Sequence, residues 1–289
     1  MVQDFWDEHV AWSKVARRMK EQRSFWRSAV LALTVAGATL QTIAATMPTF
    51  KLVAGSVSTV ALALVPIFAR YFLTAQQTAK WLRARSISEG LKSEIYTYRA
   101  GAEPYAGTDG LDVLRTKMRA IRELGKDLEM DRAGAGSPTE PAPPPLDIKT
   151  YISRRVRQQI EQYYRPKAKT YANRAEQFRW IEIGFASLAA ILSASATLIN
   201  APNSQLIGPW VAVVTTIGGT IAAHAAANRY DFQATTSFAT ARQLSDLIQD
   251  WEAGGKQAPS KEWSDFVHSC EEAISAENRA WMAKLDEKQ

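Results

Sequence analysis

Residues 183–228 read IGFASLAAILSASATLINAPNSQLIGPWVAVVTTIGGTIAAHAAAN, which is 46 residues without a single Asp, Glu, Lys or Arg. A helix with one side in water carries polar and charged residues along that side. Here His224 is the only titratable group in the tract. The tract is about twice the roughly 20 apolar residues that take one helix across a bilayer core. It therefore reads as a hairpin of two spans, about 183–200 and 206–227, joined by the uncharged loop Ala201 to Gln205.

The same pattern stands earlier in the chain. Ser28 to Phe50 and Leu52 to Ala69 are also free of charged residues, giving spans of about 28–47 and 52–70. Each hairpin is followed by one polar signature. The first copy is Ala84-Arg85-Ser86-Ile87-Ser88-Glu89 and the second is Ala241-Arg242-Gln243-Leu244-Ser245-Asp246, with Trp81 and Phe238 three positions before each Ala-Arg. Trp26 and Trp180 open the two hairpins. An internal repeat sets the architecture before local readings do, and the repeated unit here is a membrane hairpin with a helical stem. Mean hydropathy over the whole chain, −0.21, hides this pattern because charges crowd outside the spans. Two hairpins buried in a soluble helical bundle are the competing reading, since the spans are rich in Ala, Thr, Ser and Gly.

Charge fixes the expected orientation. Arg17, Arg18, Lys20, Arg23 and Arg27 precede span one, and Arg70, Lys80, Arg83 and Arg85 follow span two. Arg174 and Arg179 precede span three and Arg229 follows span four, whereas the two hairpin loops carry one charge between them, Lys51. The positive-inside rule then puts both termini and the central region in the cytoplasm of a cell bounded by an inner membrane. Trp26 and Trp180 are expected at the inner interface and Trp210 at the outer one. The polar residues before span one are too many for a cleavable signal, so that span is expected to be retained.

Residues 133–145, rich in Gly and Pro, read as a flexible to semi-rigid linker. It separates a first module, 1–132, from a second, 146–289. Helices are expected over 4–25, over 71–100 as a continuation of span two, and over 109–130. Further helices are expected over 147–179 with a break at Pro166, and over 228–252 as an extension of span four ended by Gly254-Gly255. A last helix starts after Pro259 with Ser260 as its N-cap. No segment shows the alternation of a strand. The fold class is all-α: a multi-pass helical membrane protein of two transmembrane hairpins, four spans, with long cytoplasmic helical stems.

Arg85 and Glu89, like Arg242 and Asp246, are four apart on one helix face. Such a pair contributes only about 0.2–0.5 kcal/mol, and this Arg-first order is the weaker one. The signature residues Trp81, Arg85, Ser88, Glu89, Phe238, Arg242, Ser245 and Asp246 are therefore expected to bridge helices and carry assembly contacts. A solvated charged face is the alternative. Within the spans, Thr39, Thr42 and Thr46 share one face, as do Ser193, Thr197 and Asn200, and these are the candidates for lining a water-filled path. The plainer reading is close helix approach through small residues, as along Thr216, Gly219, Thr220 and Ala223. Glu182 and His224 lie near the inner ends of antiparallel spans and are the candidate gate pair.

Other function classes lack support. The chain has no Gly-x-x-x-x-Gly-Lys loop and no Gly-x-Ser-x-Gly elbow, and His9, His224 and His268 are scattered. Cys270, the sole cysteine, excludes an internal disulfide and a cysteine metal cluster, and His268 two residues away faces apart from it. No enzyme activity, cofactor or metal is expected. The net charge of +6 is spread over stems and membrane edges, where it suits anionic lipid better than nucleic acid.

The paired spans, followed by a long helix with aromatic-x-x-Ala-Arg-x-x-Ser-acid, resemble the SLATT superfamily of two-transmembrane effector domains in bacterial nucleotide-signalling conflict systems. In the first copy the resemblance runs from Trp81 to Glu89 and on through Leu91–Tyr98 into Gly101-Ala-Glu-Pro-Tyr105-Ala. In the second it covers Phe238 to Asp246 with Trp251, but Gly254-Gly255-Lys256 stands where the first copy has Pro-Tyr. The resemblance implies a pore-forming membrane effector in anti-phage defence, homo-oligomeric, switched on by a sensor or nucleotide-signal protein in trans. A non-conducting membrane adaptor that recruits a cytoplasmic partner, or a soluble helical interaction bundle, would share much of this layout.

Overall fold

The computed structural model describes residues 1–134, 140–198, 204–254 and 260–286, and only the backbone for 204–206 and 277–286. Every regular element among them is helical. In chain order these are α1 (Val2–Thr46), a 3-10 turn (Pro48–Phe50), α2 (Lys51–Phe72), α3 (Ala75–Arg99) and α4 (Gly110–Glu123). A second 3-10 turn, Lys126–Leu128, leads into α5 (Glu129–Ala133). Then come α6 (Ile148–Thr150), π-helical turns (Tyr151–Arg157 and Gln159–Tyr164), α7 (Arg165–Leu198), α8 (Ser204–Asn228), α9 (Tyr230–Ala253) and α10 (Lys261–Asp286). Two compact units result. One comprises Met1–Glu21, Ala75–Lys169 and Ala234–Gln289, and the other Gln22–Thr74 and Thr170–Gln233. Each sequence half contributes to both units.

The first unit is built on two apolar clusters. Phe5, Trp6, Val10, Trp12 and Val15 of α1 pack with Trp81, Leu82, Ile87, Leu91 and Ile95 of α3 and with Leu114 and Met118 of α4. Their spacing of three and four is that of a helix stripe facing a core. The other cluster joins Tyr151, Ile152, Val156, Ile160 and Tyr164 to Leu244, Ile248 and Trp251 of α9 and to Trp263, Phe266, Val267 and Cys270 of α10. The buried residues of this stretch are Tyr151, Ile152, Arg155, Val156, Ile160 and Tyr164, one face of the helical turns. Pro166 lies inside a helix that runs from Ile148 to Leu198 without a break, where the π-helical turns pass into α7 and the proline removes one intrahelical donor. Tyr96 touches both clusters.

Gly101 ends α3. Its φ of 62° is left-handed, and Ala102 N–H reaches Thr97 C=O (3.2 Å) while Gly101 N–H reaches Tyr98 C=O (3.1 Å), the two bonds of a Schellman cap. The loop that follows docks on α10. Trp263 Nε1 donates to Ala100 C=O (2.8 Å), Glu103 N–H to Ser264 Oγ (3.0 Å), and His268 Nε2 lies 2.7 Å from Glu103 C=O. Ser260 Oγ caps α10 at Trp263 N–H, 3.1 Å, as its place after Pro259 predicts. Residues 135–139 of the Pro-rich stretch lie outside the described residues. Its last part is anchored, not free: Ala142 N–H donates to Gln3 Oε1 (2.9 Å), and Leu146 N–H to Arg99 C=O (2.8 Å) with its side chain in the core.

The second unit holds the four long apolar helices. Two expectations about them need correction. Span two does not run on into its stem, because α2 stops at Phe72 and α3 begins at Ala75. Span four does not run on either, because Arg229 takes a left-handed φ of 51° between α8 and α9. The carbonyls orphaned at the end of α8 are met by Arg27, whose Nη1 donates to Ala227 C=O (3.2 Å) and Asn228 Oδ1 (2.7 Å), and by Gln233 Nε2 on Asn228 C=O (2.7 Å). A cation is favoured at a helix C-terminus by the macrodipole.

In the first hairpin Gly37 of α1 lies directly against Leu62 of α2. A Cβ there would lie 2.6–2.7 Å from Leu62 Cγ and Cδ2. Gly37→Leu is expected to force the two spans apart and to cost about 1–3 kcal/mol, the usual penalty of overpacking. A lower melting temperature of the detergent-solubilised protein would report it. Gly184→Leu, at a position with nothing within 4 Å of the added Cβ, should leave the melt in place.

Candidate functional site

The signature residues divide by type. Ala84 and Ser88 are buried, and Ser88 Oγ lies 3.0 Å from His9 Nδ1 and donates to His9 C=O at 3.2 Å. His9 Nδ1 is also 2.9 Å from Ser88 C=O. These small residues let α1 and α3 come close, and the hydroxyl satisfies polar atoms that the contact buries. Burial, reinforced by the Lys92 ammonium, lowers the His9 imidazole to about 4. Arg85 Nη2 reaches Tyr163 Oη of the second sequence half at 3.5 Å, so this signature arginine does bridge. Arg242 stays within its own helix, 3.9 Å from Asp246, with its side chain 87% exposed. Trp81 is buried whereas Phe238 is 51% exposed, although the two hold the same place in the repeat.

The strongest polar feature of the first unit is one the signature does not contain. Arg155 and Glu271 form a two-pronged ion pair, Nε–Oε1 2.8 Å and Nη2–Oε2 2.6 Å, with both side chains buried. Tyr151 Oη donates to Glu271 Oε1 at 3.0 Å, and the Arg155 guanidinium lies 4.3 Å from the Tyr96 ring centre. Burial opposes the charged guanidinium, but Glu271 more than offsets it, and the Arg155 pKa ends above its ordinary value. Burial pushes the Cys270 thiol up and the Lys92 ammonium down. The sequence signal was present: an arginine at the same helical register as Tyr151, Ile152 and Val156 marks a charge placed in a core.

In the second unit the candidate path-lining residues differ in exposure. Thr42 is buried, and Thr39 and Thr46 return their hydroxyls to Val35 C=O (2.8 Å) and Thr42 C=O (2.8 Å). Ser193 and Thr197 are exposed, Thr197 bonding to Ala194 C=O at 2.7 Å, and Asn200 lies outside the described residues. Gln41 was not singled out from sequence, yet its Oε1 accepts from the fully buried Ser58 Oγ (2.5 Å) and ties span one to span two. Among the described residues no hydrogen bond or ion pair joins Glu182 to His224. His224 faces the Phe178 ring at 5.6 Å, while Glu182 lines a groove with Arg179, Arg229 and Asp231. Trp26 stacks on Phe72 at 3.8 Å, Trp180 is 64% exposed, and Trp210 is half-buried.

Four long apolar helices and an all-helical fold among the described residues define the class: a multi-pass helical membrane protein. Residues 151–281 match the family described as SMODS and SLOG-associating 2TM effector domain 1, SLATT_1. Over those residues the chain carries a SLATT-type two-transmembrane domain, of a family of membrane effectors in conflict systems. Residues 10–111 match a second family, DUF4231, described as a protein of unknown function. No curated protein and no solved structure matches the chain.

Proposed function

We propose that the protein is a non-enzymatic effector of the bacterial inner membrane. Several copies assemble around an ion-conducting path, and both termini lie in the cytoplasm. Residues 1–132 and 146–289 then act as tandem SLATT-like modules joined by 133–145. The reading rests above all on span three. None of its most apolar window is buried inside the protomer, and Ser193 and Thr197 are exposed along it with Ser195 half-buried. Bare apolar surface with interspersed hydroxyls suits lipid on one side and a partner copy or water on the other. No acid or base sits in mid-span, so any path is weakly selective by charge. Its use in anti-phage defence, triggered by a sensor in trans, follows from the superfamily's setting.

Reconstitution into liposomes tests this directly. Ion flux is expected, together with a cross-linked ladder above the protomer mass. Thr197→Leu is expected to cut the flux without changing the ladder. Absence of flux from every oligomer isolated would overturn the proposal in favour of a non-conducting adaptor.

A further inference from the structure

The repeat allows one stem to be read against the other. Shifting α3 by 157 positions puts Trp81 on Phe238, Ser88 on Ser245 and Lys92 on Gln249. On α3 this face is covered by the start of α1, with Trp6 and Trp12 in the shared core and His9 bonded to Ser88. On α9 the same face is covered only at Ala241, buried in one cluster with Ile160 and Tyr164, and is open on either side of it. Phe238 is half exposed, Gln249 is exposed, and Ser245 lines two adjoining grooves of about 450 and 300 Å³. The grooves share Arg165 as well as Ser245. The larger is walled by Phe238 and Ala241 and rimmed by Arg165, Lys169 and Arg242, of which Arg242 lies 3.9 Å from Asp246 just outside the groove. Arg165 and Lys169, four apart on α7, are exposed and meet no carboxylate among the described residues. In the smaller groove Glu252 is paired with Arg157 at 2.7 Å, which leaves Glu161 as the unpaired acid.

We propose that the open face of α9 is the docking groove for an acidic, aromatic-bearing amphipathic helix of a separate protein. The helix that covers α3 shows the shape such an occupant takes. It is a stripe of Phe5, Trp6 and Trp12 with Asp4, Asp7 and Glu8 beside it. Helix-in-groove recognition uses such an apolar stripe at three- and four-residue spacing. The cationic rim selects for acid on the incoming helix and speeds encounter at low salt. It also disfavours face-to-face pairing of two copies of this chain, which would set the same cations against one another. The inference stands whether or not the spans conduct.

The test uses the full-length protein in detergent micelles and a fluorescein-labelled peptide with the sequence of residues 2–16, followed by anisotropy. Saturable binding is expected, and it should weaken as salt rises. Arg165→Glu, Lys169→Glu and Arg242→Glu together should weaken it at least about tenfold, a loss of roughly 1.4 kcal/mol. Phe238→Ser should weaken it by itself, and a peptide with Asp4, Asp7 and Glu8 neutralised should bind poorly to the wild type. Cys270, buried in the same unit, should stay unreactive to thiol reagent in each variant, showing that the bundle is intact. No saturable binding, or binding that the triple reversal leaves unchanged, overturns the proposal. So does a change of oligomer mass in the triple variant, which would assign the groove to a second copy.

Discussion

Glu271→Ala is expected to unfold the helical bundle that carries both stems at a markedly lower temperature than the wild type. The substitution leaves Arg155 buried with its charge uncompensated and takes the acceptor from Tyr151. Removing one partner of a buried pair costs about 3–5 kcal/mol, whereas replacing both partners by apolar groups of similar size is often neutral. Arg155→Met combined with Glu271→Leu should therefore recover most of the loss. The chain supplies its own reporter. Cys270 is the only cysteine, is fully buried and adjoins Glu271, so its reaction with a thiol reagent follows opening of this core. Glu271→Ala should turn a protected thiol into a reactive one under native conditions. A Glu271→Ala protein with an unshifted melt and a silent Cys270 would show that the pair does not hold the bundle.

The second large effect depends on pH and arises at His9. Its imidazole is held neutral in the fold, with the pKa lowered from 6.5 to about 4, first by burial and then by Lys92. Glu89 acts in the opposite sense, and Arg155 adds to the lowering. In the unfolded chain the same histidine binds its proton near 6.5. Between those values the unfolded state binds more protons, so stability is complete above about pH 6.5 and declines as pH falls toward 4. The shift corresponds to about 3 kcal/mol over that window. Thermal melts followed by tryptophan fluorescence at pH 7.5 and pH 4.5 should drift apart in the wild type. His9→Asn should remove that part of the drift while leaving a polar partner for Ser88. Equal drift in both proteins would mean that other groups carry the acid sensitivity.

The membrane hairpins were legible because their signal is an absence. Missing charge over 28–50, 52–69 and 183–228 marks apolar runs that fall on α1, α2, α7 and α8, the four helices long and apolar enough to cross a membrane. The interruptions behind them were not legible. Asn228-Arg229-Tyr230 and Phe72-Leu73-Thr74 contain neither Gly nor Pro, and the left-handed turn at Arg229 is sustained by side chains far away in sequence, Arg27 above all. In the signature the doubled Arg-acid pairs drew attention, yet the small residues between them make the contact. Ala84 and Ser88 admit α1, and only Arg85 of the two arginines reaches another helix. Periodicity tells which face of a helix is buried but not which helix covers it. The seating of α10 against α3, and hence the burial of Arg155 and Glu271, lay beyond pattern alone.

That seating has a consequence for how the protein is made. The loop closing α3 is held by Trp263, Ser264 and His268 of α10, which leave the ribosome more than 150 residues after the loop itself. The first hairpin is therefore translated and handed to the membrane while its stem, already packed by α1 and α4, still lacks α10. A product that stops short of residue 261 keeps an apolar stem face in water, the kind of surface that chaperones and proteases recognise. Truncated chains are thereby marked for removal before they gather in the bilayer, and an effector of this kind reaches its working form only when translation has run through its last helix.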